Sequence, residues 1–182
     1  MSLNYLSFSF YFMSFLPQDF ESPQAAGQYL KLKDGESIKL RILTDPIFFW
    51  EFWSEDKTPI RVPYEQDMIL QTPKEARKDQ QGKFVWAMVV YNYNISKVQI
   101  WSPSQAKFKN ELEKMAKDPD FGDPKTYDLK ISRKGTMMET EYSINALMKA
   151  ENMQEMDFDI VGEAALIKLE NLIINENPFP NK

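Results

Sequence analysis

Residues 84–101 read FVWAMVVYNYNISKVQIW, and how they are interpreted decides the fold. Two strand-like runs meet at Tyr93-Asn94. They carry Phe84, Trp86, Tyr91, Tyr93 and Trp101, with Lys83 and Lys97 at the start of each run. Rings interleaved with lysines on strands serve either a hydrophobic core or a platform on which nucleic-acid bases stack. Successive strand side chains alternate, so in the second run Val98 and Ile100 share one face and Lys97, Gln99 and Trp101 the other. That alternation places Trp101 and Lys97 on an exposed binding face. The first run is apolar on both faces. Its inside and outside are therefore not assigned by the pattern: the small set Val85, Ala87 and Val89 would suit a tight barrel interior, which would leave Trp86 outward and need a bulge to reorient Tyr91 and Tyr93.

Upstream, residues 29–33 and 36–43 flank Asp34-Gly35, a hairpin signal. Ile38, Leu40 and Ile42 alternate with Lys39 and Arg41, which form either a solvated face or a pair of phosphate contacts. Asp45-Pro46 then leads into Ile47-Phe-Phe-Trp-Glu-Phe-Trp53, a strand that carries Trp50 and Trp53. Residues 54–82 contain Pro59, Pro63, Pro73 and many charges. They read as a long inserted connection with a short strand at 60–64, and connections of this length are usually functional or mobile.

Downstream, Ser102-Pro103-Ser104-Gln105 has the form of a capped helix start. Phe108, Leu112, Met115 and Ala116 continue it as one apolar stripe, and Asp118-Pro119 should end it. Lys107–Glu111 and Lys109–Glu113 are expected exposed pairs. Tyr127, Leu129 and Ile131 alternate with Asp128, Lys130 and Ser132 as a strand. The chain turns at Arg133-Lys134-Gly135 and returns over 139–146. Beyond Leu147 it becomes acidic, with a helical stripe at Leu166, Leu169, Leu172 and Ile173.

Composition removes several function classes. The 182 residues include no Cys and no His, which argues against zinc enzymes, thiol chemistry and a Ser-His-Asp hydrolase. The i, i+2 acid pairs Glu139/Glu141 and Asp157/Asp159 read as solvated acids, with no surrounding motif for catalysis. No enzyme, metal or cofactor is expected. The net charge is −5. Residues 139–182 hold nine acids and three bases, net −6, which leaves residues 1–138 at net +1. A near-neutral body can still present a local basic face, because screening limits distant charges to about 10 Å. The apolar run at residues 3–16 is too short for a typical span of roughly 20 residues and lacks a signal-peptide pattern. It reads as a packing arm, or as an extension ahead of a natural start at Met13.

Strands, then a helix, then a final strand pair is the order of the OB-fold, a partly open five-stranded Greek-key barrel that binds oligonucleotides and oligosaccharides, and the same order also suits another small α+β barrel. The expected organisation is an N-terminal extension (1–28), an OB-fold domain (29–146) with a long inserted loop, and an acidic, part-helical tail (147–182). The ordered series 29–43, Phe84-Val-Trp-Ala, Tyr91-Asn-Tyr-Asn, Lys97-Val-Gln-Ile, Phe121-Gly-Asp-Pro, 127–135 and 139–144 resembles bacteriophage single-stranded DNA-binding proteins of the OB-fold kind. That resemblance implies DNA replication or recombination in the cytoplasm of a bacterial host. It also implies replication partners reached through the tail, and leaves a homodimer open.

On this reading Lys39, Arg41, Lys83, Lys97, Lys130 and Arg133 contact phosphates. Trp50, Trp53, Trp86, Tyr91, Tyr93 and Trp101 supply the rings, of which two or more stack on bases. For any single ring, core packing is the commoner role. The acidic tail would compete for the groove, so its removal should raise affinity. The alternative is an assembly module without nucleic acid, in which the same rings make protein contacts.

Overall fold

A computed structural model describes residues 27–136 and 139–180; the apolar run at 3–16 and the terminal Asn181-Lys182 lie outside them. The protein is mainly β, with two helices. The strands are β1 (Ser37–Ile42), β2 (Ile47–Trp53), β3 (Pro59–Pro63), β4 (Lys83–Asn92), β5 (Lys97–Trp101), β6 (Asp128–Lys134) and β7 (Glu141–Leu147). Helix α1 (Ala106–Lys117) separates β5 from β6, and α2 (Phe158–Ala165) follows β7. Short 3-10 turns at Ala150–Asn152 and Leu169–Leu172 flank α2.

All strand pairs are antiparallel, in the order β3-β2-β4-β1-β6-β7 with β5 on β4. Strand β4 is the hub. Its first half pairs with β2 (Phe49↔Val85) and its second half with β1 (Arg41↔Tyr91). Between them, where Asp45-Pro46 bends the chain, Leu43 N–H donates to Val89 O and Val89 N–H to Thr44 Oγ1. The β4–β5 loop extends the ladder with a side chain. Asn94 Oδ1 accepts from Lys39 N–H, and Asn94 Nδ2 donates to Ser37 O.

The sheet has seven strands and stays open, where a partly open five-stranded barrel was expected. Among the described residues β5 and β7 do not pair. Residues 28–30 lie along β5 instead: Leu30 N–H donates to Ile100 O and Ile100 N–H to Gln28 O. The first hairpin is corrected by the same observation. Asp34-Gly35 does turn, with Gly35 at φ +73°, but residues 29–33 leave it toward β5 rather than pairing with β1.

Two apolar cores lie on opposite faces of the sheet. On one, Phe108, Leu112 and Met115 of α1 pack with Ile38, Leu40, Met88, Val90, Trp101, Leu129, Ile131 and Ile144. On the other, Phe49, Val85, Ala87, Val89, Val98 and Ile100 are covered by Ala164, Leu169 and Leu172 from the C-terminal segment. Both faces of β4, which the sequence left unassigned, are covered: Val85, Ala87 and Val89 face the C-terminal segment, and Met88 and Val90 face α1. Helix α1 ends at Asp118 as expected, but it begins at Ala106 rather than Pro103, which is packed into the body. Its ion pairs are Glu111–Lys114 and Glu113–Lys117, and Lys109 donates instead to Phe84 O at 2.9 Å.

Candidate nucleic-acid interface

The twelve candidate residues fall into separate places. Lys39, Arg41, Tyr91, Tyr93 and Lys130 gather on the outer face of β1, β4 and β6. The register brings them together: Lys39 opposes Lys130, Arg41 opposes both Asp128 and Tyr91, and Tyr93 N–H donates to Lys39 O. Asp128 is the electrostatic centre of this face and is 1 % exposed. Its carboxylate accepts from Arg41 Nε at 2.8 Å, Lys39 Nζ at 2.9 Å and the Tyr93 hydroxyl at 2.9 Å. Lys39 Nζ also sits 4.7 Å from the centre of the Tyr93 ring. Burial, and then the hydrogen bond to Asp128, push the Tyr93 phenol up to about 12.

The C-terminal segment lies over this face. Arg41 donates to Asn152 O at 2.6 Å and Gln154 O at 2.9 Å, Lys39 donates to Asn152 Oδ1, and Met156 Sδ lies 3.3 Å from the Tyr93 hydroxyl. Farther along, Arg61 donates to Leu172 O and Asn175 Oδ1 while paired with Glu51. The bonds to the segment are made to neutral oxygens. Among the described residues no ion pair joins an acid of residues 150–180 to a base. The segment is held by carbonyls and apolar packing rather than by its acids.

Two candidates are corrected outright. Trp101 is 3 % exposed and packs edge-on against Phe108 at 5.6 Å. It does not stand on a binding surface with Lys97, because α1 covers the face that the alternation assigned to solvent. Arg41 is likewise buried, with its guanidinium committed to Asp128 and two carbonyls. Arg133 is half-buried, donating to Leu32 O and lying 6.0 Å over the Tyr142 ring. Lys83, Lys97 and Lys130 are exposed.

A second cluster lies where β3, β2 and the start of β4 extend past α1. Cross-strand register sets Phe48 opposite Trp86 and Trp50 opposite Phe84 on one face. Phe48 and Phe84 stack at 5.9 Å, Phe48 meets Trp86 edge-on at 5.2 Å, and Trp50 lies 5.0 Å from Phe84. Tyr64 completes the set 5.3 Å from Phe84. Tyr64 is exposed, and the other four rings are each partly open to solvent. Lys109 sits at the margin, its ammonium shifted down by burial and by Lys83 nearby. From Trp86 the face runs into a hollow of about 520 Å³ lined in part by Pro46, Met88, Leu112 and Lys125.

No family model, curated protein or solved structure matches this chain.

Of the candidate rings, Trp50 and Trp86 lie in this cluster, together with Phe48, Tyr64, Phe84 and Lys109, which the sequence reading did not name as candidates. A signal for two of them existed. Phe48/Trp50 and Phe84/Trp86 each have two rings at i, i+2, which puts all four on one face once the strands pair. Trp53 points to the opposite side of β2 and is 37 % exposed. No group of three or more acids among the described residues is arranged to hold a metal ion, and no helix there is long and apolar enough to cross a membrane.

Proposed function

We propose that this protein binds single-stranded DNA without reading its sequence, stacking bases on the ring face of β2, β3 and β4. One observation carries the reading: five rings, Phe48, Trp50, Tyr64, Phe84 and Trp86, are joined in one cluster on a sheet face that is partly open. A core places rings out of reach of water, whereas a stacking platform keeps them within reach of a base. Every base has a π-face, so such a platform tolerates any sequence, at about 1–3 kcal/mol per base. Lys109 stands at the margin of this face, its ammonium donating to Phe84 O, whereas Lys83 alternates with Val85 to the other side of β4. On this reading the sheet is an open form of the OB-fold. Support comes from a bent first strand (β1 and β2) shared between β4 and β6, and from a helix that precedes a final hairpin. Kinship with phage single-stranded DNA-binding proteins and work in the cytoplasm of a bacterial host belong to the same proposal, as does the absence of catalysis.

On the outer face, residues 152–156 lie over Lys39, Arg41 and Tyr93 and leave Lys130 exposed, so the rings open to a base are those of the ring face. Titrating intrinsic Trp fluorescence with oligo-dT tests the reading. We expect strong quenching that weakens with salt, with a slope of about −0.7 per phosphate contacted. Replacing Phe84 with Ala should weaken binding by about 1–3 kcal/mol. A flat trace would refute the proposal and leave the alternative of an assembly module without nucleic acid.

A further inference from the structure

Helix α2 is apolar on two sides, but only one side is used by the fold. Ile160, Ala164 and Ile167 turn inward onto the sheet core. Phe158, Val161, Ala165 and Leu166 recur at i, i+3, i+7 and i+8 and turn outward, with Phe158 87 %, Val161 48 % and Leu166 59 % exposed. Gly162 occupies the i+4 position of that stripe, and a side chain there would meet nothing within 4 Å. The stripe is thus flat at its centre and open to close approach. A contiguous exposed apolar patch rimmed by polar residues is the usual mark of an interaction site.

The stripe has a hollow beside it. Val161 lines a depression of about 450 Å³ together with Leu43, Met153 and Met156. Methionines are unbranched and polarisable, and they adapt to inserted side chains. A ridge beside an adaptable hollow fits a helix that lays its own apolar stripe across both.

Charge selects among occupants. Asp159 and Glu163, both exposed and one turn apart, run along one flank, and Glu155 and Asp157 stand at the N-terminal end. Lys168 is the only base in residues 150–180. Arg41 and Lys125 also line the hollow, but each is ion-paired, Arg41 with Asp128 and Lys125 with Asp45 and Asp123, so the charge left over on this face is acidic. A second copy of this chain would set the same acids against each other, which costs affinity.

We infer that the outer face of α2, with the hollow under Val161, docks a partner protein through an amphipathic helix whose apolar face is flanked by Lys or Arg. The inference does not rest on DNA binding, because none of the five rings lines this hollow, although Ile42 and Lys125 border both it and the hollow beside Trp86.

The test uses the full chain and two designed helical peptides, read by fluorescence anisotropy. Both carry Leu at i, i+3, i+4 and i+7; one is flanked by Lys and the other by Glu. The Lys peptide should bind saturably and the Glu peptide should not. Replacing Phe158 and Leu166 together with Ser should weaken the Lys peptide about tenfold or more. Asp159→Asn with Glu163→Gln should weaken it less and flatten its salt dependence. Gly162→Lys should block it while leaving thermal unfolding unchanged or raised, which separates loss of the surface from loss of the fold. Equal binding of the Lys peptide to wild type and the Phe158/Leu166 variant would overturn the inference. So would self-association by sedimentation that the same variant abolishes, since the occupant would then be a second copy.

Discussion

Replacing Asp128 with Asn should destabilise the fold by about 3–5 kcal/mol, the range for breaking a buried ion pair by removing one partner. The substitution keeps shape and a carbonyl acceptor but removes the charge. Arg41, 3 % exposed, is then left with neutral acceptors only and no anionic partner, and Lys39 and the Tyr93 hydroxyl lose their anionic acceptor. At an effective dielectric near 20, a charge pair about 4 Å apart is worth about 4 kcal/mol, which agrees with that range. Domains unfold with about 5–15 kcal/mol, so the loss is a large fraction of the total. With a urea slope of about 1–3 kcal/mol per molar, the midpoint should fall by roughly 1–5 M, read from Trp fluorescence. The double variant Arg41→Met, Asp128→Leu should recover most of the loss, because an apolar pair of similar volume replaces the buried charges. A midpoint that hardly moves in Asp128→Asn, or a double variant as unstable as the single, would show that the buried pair is not what holds this face.

Leu172→Ala should cost about 2–5 kcal/mol by urea unfolding, since Leu172 is buried against the sheet and its loss leaves a cavity. Removing residues 147–182 should lower Tm and induce dye binding typical of exposed apolar surface, because Phe49, Val85 and Val98 lose their cover; an unchanged Tm would show that the cover contributes little. For Tyr93, the folded pKa of about 12 lies above the ordinary 10.0. Its contribution is therefore complete below pH 10 and is lost as pH rises toward 12. Tyr93→Phe should flatten the fall in Tm over that window; equal slopes for the two proteins would refute the assignment. Gly82→Ala should destabilise by about 1–3 kcal/mol in thermal unfolding, because its Cβ would fall 2.6 Å from Phe52 Cζ.

The strands and α1 were legible because their apolar residues alternate or recur at helical spacing. The sides of β4 were not, because a period of two separates faces only when one of them is wet. Here α1 covers one face and residues 158–179 the other, so Trp101 sits in a core although its neighbours on the strand suggested solvent. The fate of Arg41 was hidden for a different reason. Its position on a strand gives its face, but its partner Asp128 lies 87 residues later and becomes a neighbour only through the β1–β6 register. The C-terminal cover was masked by composition. Nine acids dominate residues 139–182, while Ala164, Leu169 and Leu172, the residues that pack, are few and sit in short pieces.

The cover over β4 and β5 also sets an order of events during synthesis. The ribosome completes every strand of the sheet before it makes residues 150–180. At roughly 5–20 residues per second, the nascent sheet waits about 2–6 s with Phe49, Val85, Val89, Val98 and Ile100 bare. During that interval the growing chain offers a sticky face to its neighbours on the same message. Slowing elongation over the last codons should therefore send more of the newly made protein into inclusion bodies.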